Sequence, residues 1–169
     1  MIFRNPFCGA LPLVLTFACA GLRPGGEHED ISRIYEVVLE DAHGGSISFA
    51  EFRGQVLVVD LFATWLNPSL VNASLYADLY RKHRERGLRV VGVALDEQGR
   101  MVVEAFARAL DLPYPVALAD GGVRAGASIF GDLATLPRLM VFDRSGALVA
   151  VWFGLAPARE LSRLIERLL

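Results

Sequence analysis

Apolar and polar positions fall in blocks along the chain, and the period of the blocks changes in a regular order. Tyr35-Glu-Val-Val-Leu39 alternates toward a strand, with Asp41-Ala-His-Gly-Gly45 as the turn after it. Gln55 to Ala63 (QVLVVDLFA) is a near-continuous run of β-branched and aromatic residues, as expected of a central strand buried on both faces. A helix is predicted next, with Asn67 as N-cap, Pro68 at N1, and Val71, Leu75 and Leu79 as a core stripe. The basic run Arg81-Lys82-His83-Arg84 and then Gly87 suit its C-terminal end. Leu88 to Leu95 (LRVVGVAL) predicts a second buried strand and Met101 to Leu110 a second helix. Tyr114 to Leu118 reads as a short strand and Val123 to Ile129 as a brief helix. Arg138 to Phe142 and Ala147 to Phe153 flank the turn Asp143-Arg-Ser-Gly146 and predict a hairpin. The last helix has Pro157 at N1, with Leu161, Leu164, Ile165 and Leu168 on one face and Arg159, Arg163 and Arg167 opposite. This order predicts an α/β fold, a small mixed central sheet with helices on both faces.

Residues 1–20 stand apart from that pattern. Arg4 gives a positive start, Phe7 to Ala20 is mostly apolar, and Ala18-Cys19-Ala20 has the small-x-small form of a signal peptidase site. The apolar stretch falls short of the roughly 20 residues that a membrane span needs. It predicts a signal peptide over 1–20 and an exported, periplasmic protein. Two alternatives stay open. Cys19 is a lipidation candidate that would make the chain a membrane-anchored lipoprotein, although Thr16 and Phe17 suit such a signal poorly. The stretch could also be a partly buried N-terminal strand or helix. Gly21 to Asp30 is glycine-rich and charged and predicts a flexible linker over 21–33, leaving 34–169 as one domain.

A length of 169 residues suits one domain with its own core, and 53% apolar with 21% charged residues suits a globular one. A net charge of −2 offers no basic field for nucleic acid, so none is expected as a partner. The two cysteines, Cys8 and Cys19, both precede the domain, which therefore can form no disulfide of its own. His28, His43 and His83 are far apart, with no cysteine or paired carboxylates at ligand spacing. No metal or cofactor is expected, and the three read as a linker residue, a turn residue and a helix-end cation. Ser69 and His83 lie fourteen residues apart on one predicted helix, roughly 20 Å, too far to act as nucleophile and base.

Val58-Val-Asp-Leu-Phe-Ala-Thr-Trp-Leu-Asn-Pro-Ser69 resembles the segment leading into the active site of thioredoxin-like proteins, where Phe/Trp-Ala-x-Trp precedes Cys-x-Pro-Cys. Phe62-Ala-Thr-Trp65 and Pro68 fit that pattern, and Leu66 and Ser69 occupy the two cysteine positions. Thr135-Leu136-Pro137-Arg138, with the residues on to Gly146, looks like the family's cis-proline loop, strand and turn. The stretch from Asp96 to Ala134, with Leu112-Pro-Tyr-Pro-Val116 inside it, is similar to the inserted strand and helix of the TlpA/ResA and AhpC/TSA groups. From about Ile34 to the C-terminus the chain thus resembles a TlpA/ResA-type, redoxin-like domain of thioredoxin-like fold with both active-site cysteines replaced.

The resemblance implies a cleft formed by Trp65, Leu66, Asn67, Pro68 and Ser69 on one side and Leu136, Pro137 and Arg138 on the other. There an envelope protein or extended peptide would pair with the backbone beside the cis-proline. The family's chemistry needs a thiolate at the helix N-terminus and a second thiol to resolve the mixed disulfide. Leu66 can supply neither, and no nearby base activates Ser69. Asp60 matches the buried carboxylate that assists the second cysteine in thioredoxins. It reads either as a relic or reassigned acid with a pKa raised by burial, or as a strand carboxylate satisfied by a hydroxyl or water. Trp65 reads as cleft-wall packing, and Arg138 as a solvated strand start or a cleft charge selecting an acidic partner. Asn72 stands where TlpA-type proteins often carry Glu. Three functions follow. The favoured one is a redox-inactive protein- or peptide-binding module of the cell envelope. The second is a thiol–disulfide oxidoreductase or antioxidant protein, as the family implies, and the third a structural accessory subunit. Membrane contact is expected only through a lipid on Cys19.

Overall fold

The computed structural model describes residues 31–169. The expected signal segment 1–20, its Cys19 and most of the linker lie outside the described residues. In chain order the elements are β1 (Val38–Asp41), β2 (Ser46–Ser48), β3 (Val56–Phe62), α1 (Asn67–His83), β4 (Leu88–Ala94), α2 (Arg100–Ala109), β5 (Val116–Leu118), α3 (Gly121–Arg124), β6 (Arg138–Phe142), β7 (Leu148–Phe153) and α4 (Ala158–Leu168). Short 3₁₀ helices cover Ile31–Glu36, Phe49–Phe52 and Arg84–Arg86. The strands form one seven-stranded sheet in the order β2-β1-β5-β4-β3-β6-β7. β3, β4 and β5 run parallel, and β1, β2, β6 and β7 close the two sides with antiparallel pairings. No helix among the described residues is long and apolar enough to cross a membrane.

The uninterrupted apolar run of β3 reflects its place in the middle, where every residue from Val56 to Phe62 is buried. Val56, Val58 and Phe62 pack under Tyr76 and Ala77 of α1, Val103 and Ala107 of α2, and Leu161 and Ile165 of α4. Leu57, Val59 and Leu61 face the other way, onto Ile34, Phe49, Phe52, Val123 and Phe130. Helices thus cover both faces as expected, but the three long ones share one face and short helical turns cover the other. At the hairpin turn Gly146 takes a φ of +88°, and a Cβ there would sit 2.6 Å from the Tyr35 ring.

Several expectations are corrected. Tyr35 lies in a 3₁₀ helix that buries Ile34 and Tyr35 in the second core, and the strand starts only at Val38. The brief helix comes earlier than predicted, at Gly121–Arg124, because the Asp120 side chain accepts from Val123 N at 2.8 Å and caps it there. In α1 the extended residue before the first turn is Leu66, so Asn67 and Pro68 occupy the first helical positions, and no side chain caps the end. The predicted α1 stripe holds only in part, with Leu79 buried and Leu75 packed against the first core. Val71 is 61% exposed, while Ser69, Asn72, Ala73, Tyr76, Ala77, Leu79 and His83 face the protein. Small side chains let the helix approach the sheet closely, and polar ones find or lose partners there. His83 is not a solvent-facing cation. It is buried, its Nε2 finds no protein partner, and burial together with Lys82 and Arg86 lowers its pKa below the usual histidine value.

Candidate functional site

The sheet register places the predicted site. Leu61 of β3 pairs with Arg138 of β6, which sets Pro137 at the end of β3 from which the chain turns through Ala63 and Trp65 into α1. The Leu136–Pro137 peptide bond is cis, as the resemblance implies. Gly154 N donates to Pro137 O at 2.8 Å, tying the end of β7 to the same loop. Trp65, Leu66, Asn67 and Pro68 therefore share one end of the sheet with Pro137. Trp65 is 69% exposed rather than packed as a cleft wall, Asn67 is exposed, and Leu66 and Pro68 are half-buried. Leu136 packs against the second core beside them.

Ser69 and Arg138 depart from their expected roles. Ser69 is fully buried beneath the first turn of α1, and its hydroxyl finds no protein partner, so it does not face a ligand in the cleft. Arg138 is neither a solvated strand start nor a free cleft charge. Its guanidinium donates to Phe130 O at 2.6 Å and to Asp132 O, and lies 5.0 Å from the centroid of the Phe153 ring. It holds the 130–138 loop onto the sheet.

Asp60 points into the core on the α1 side. It is 1% exposed, Oδ1 has no protein partner, and burial pushes its carboxyl up to about 8. Of the two readings of this residue, the satisfied strand carboxylate finds no hydroxyl to support it. The Tyr76 hydroxyl is buried and also lacks a protein partner, while that of Tyr114 donates to Ala73 O at 3.4 Å. Burial first and the nearby Asp60 second raise the pKa of both tyrosines. At neutral pH this cluster is uncharged.

Two contributors escaped the sequence reading. Asp96, buried at the end of β4, accepts from Thr64 N at 3.0 Å and from the Thr64 hydroxyl at 2.5 Å, and so fixes the turn that presents Trp65. Asn72 donates to Gly154 O at 2.8 Å and accepts from Ala156 N at 3.0 Å, latching the β7–α4 connection to α1. A polar residue just past a buried strand was the available signal for Asp96. For Asn72 there was only its departure from the family's glutamate. Among the described residues no group of three or more His, Cys, Asp or Glu is placed to hold a metal.

Chemically, the start of α1 presents the apolar side chain of Leu66, Pro68 carries no N–H there, Ser69 N already donates to Leu66 O at 3.0 Å, and residues 31–169 contain no thiol. The model of the AhpC/TSA family matches residues 32–151. The chain belongs to the AhpC/TSA family. Among curated relatives, this AhpC/TSA chain is 24% identical over 131 residues to the thiol-disulfide oxidoreductase ResA of Bacillus anthracis, covering 78% of this chain and 73% of that one. Among solved structures it superposes on a thiol:disulfide interchange protein of the thioredoxin family from Chlorobium tepidum TLS with a TM-score of 0.69 at 23% identity, over 78% of this chain and 92% of that one. A secreted thiol-disulfide isomerase from Corynebacterium glutamicum gives a TM-score of 0.70 at 18% identity, over 78% and 82%. These likenesses show a thioredoxin-like fold. The relatives' names fit the oxidoreductase reading of the sequence more closely than the redox-inactive one.

Proposed function

We propose that this AhpC/TSA-family chain keeps the protein-recognising cleft of the thiol–disulfide oxidoreductase group and works there by binding, without dithiol exchange. The observation that carries this is at the start of α1: Leu66 precedes the helix and Ser69 is buried beneath it, with cis-Pro137 at the same end of the sheet. Exchange requires a thiolate at that helix end and a resolving thiol. Exposed Trp65 with half-buried Leu66 and Leu136 instead gives an apolar surface beside backbone that can pair with an extended peptide. Export belongs to the same reading, from the pattern of residues 1–20 and the secreted relative.

The names of the relatives favour a second reading, a working oxidoreductase. It would need a thiol, and Cys8 and Cys19 are the chain's two. Insulin-disulfide reduction by the full chain separates the two readings. Turnover at the buffer background is expected, and clear turnover would establish the oxidoreductase. In parallel, the full chain is used to capture envelope proteins, beside Leu66→Arg and Trp65→Ala variants checked for native circular dichroism. A partner held by wild type and lost from both variants supports the cleft. A partner held equally by all three sinks it.

A further inference from the structure

We propose that the free edge of the sheet, strand β7 with the outer face of α4, is a second docking surface. It takes an extended acidic segment of a partner protein as an eighth strand. This does not depend on the reading of the cis-proline cleft.

Among the described residues β7 pairs only with β6, so its outer row of backbone N–H and C=O groups has no strand beside it. The opposite edge, β2, is three residues long, whereas β7 has six. Natural edges are commonly blunted by charge or proline. Leu148-Val-Ala-Val-Trp-Phe153 carries neither, and Leu148, Val149, Val151 and Phe153 are each 37–54% exposed. A register shift beside Val141 and Phe142 disturbs only the start of β7. From Ala150 to Phe153 the antiparallel register with β6 is regular.

Charge complementarity selects the occupant. A groove of about 390 Å³ runs between β7 and α4, lined by Val149, Trp152 and Leu164 together with Glu160, Arg163 and Arg167. Arg159, Arg163 and Arg167 recur at four-residue spacing on one exposed face of α4. Among the described residues none of the three is paired with a carboxylate, while neighbouring Glu166 is taken by Lys82 at 3.5 Å. In a chain of net charge −2 this is a local positive ridge. Side chains of an added strand alternate between the two faces of the sheet. One set would pass over the groove toward Arg163 and Arg167, and the other would lie beside Val151 and Phe153. The matching segment carries acidic residues at every second position with apolar ones between them.

The test is fluorescence anisotropy of the full chain with a labelled ten-residue peptide alternating Glu and Val. Three comparisons accompany it: a Lys/Val peptide, a Glu/Val peptide N-methylated along one edge, and an Arg163→Glu/Arg167→Glu variant. Both arginines are exposed, so that variant is expected to keep wild-type circular dichroism. Binding of the Glu/Val peptide is expected to weaken at least about tenfold in the variant and on N-methylation, with the Lys/Val peptide inert. Absence of Glu/Val binding, equal binding of the Lys/Val peptide, or indifference to N-methylation would overturn the proposal. So would self-association of the chain abolished by Val151→Lys, which would make β7 an interface between copies. Sedimentation with phosphatidylglycerol vesicles in place of peptide binding would assign the arginines to a membrane surface and overturn it too.

Discussion

Asp60 is the residue whose surroundings most change its chemistry. Its carboxyl is pushed from 3.8 up to about 8, so between those pH values the folded chain keeps a proton that the unfolded chain releases. The associated stability is fully present below about pH 4 and is lost as pH rises through about 8. It amounts at most to about 6 kcal/mol. His83, whose pKa burial lowers, acts with the opposite sign below the usual histidine range, so the comparison of variants carries the test. Urea midpoints at pH 5, 7 and 9 are expected to fall for wild type and to fall much less for Asp60→Asn. Parallel declines would show that Asp60 is not the titrating group. Asn72 offers a simpler measurement. Asn72→Ala leaves Gly154 O and Ala156 N without their side-chain partner and is expected to cost about 1–3 kcal/mol in urea unfolding. A cost within error of zero would mean that water replaces the latch. Asp60 could be singled out from a strand pattern because a carboxylate in an apolar run is conspicuous. The state of that carboxylate depends on its burial, which is complete only after α1 and the chain before β5 pack on the sheet.

Among the elements, those with strong periodicity were legible. β3, β4, β6 and α4 appear where their apolar patterns put them, within a residue or so, because burial on one or both faces writes itself into the sequence. α1 was placed correctly, but its facing was legible only in part. Leu79 is buried and Leu75 packs against the first core as expected, whereas Val71 is exposed and the middle of the face that meets the sheet carries Ala73, Tyr76 and Ala77. The loop from α3 to β6 was the least legible element, since it is held by packing of Ile129, Phe130, Leu133 and Leu136 on the second core and by a side chain beyond it. Arg138 bonds Phe130 O and Asp132 O across that loop. Arg138→Leu is expected to release residues 131–136, and subtilisin should then cut there several-fold faster than in wild type. Unchanged cleavage kinetics would leave the loop held by its apolar contacts alone.

For the whole molecule, membership of a thioredoxin-like family was readable because its signals lie in local strings: Phe62-Ala-Thr-Trp65 and Pro68 before a helix, Leu136-Pro137 before a strand. The cysteine positions are equally local, since residues 31–169 contain none. Strand content, the buried middle of the sheet and the amphipathic last helix were likewise determined by the sequence alone, because each depends on the spacing of apolar residues along a short segment. Tertiary structure decided the rest. It buried Ser69 and His83, turned Arg138 from a candidate ligand contact into a loop clasp, joined Asn72 to residues 82 and 84 positions away, and, among the described residues, left β7 at the edge of the sheet with no carboxylate paired to Arg159, Arg163 or Arg167. The physical reason is the same in each case. A polar side chain's role is set by which partners and how much water surround it, and those neighbours come from distant parts of the chain.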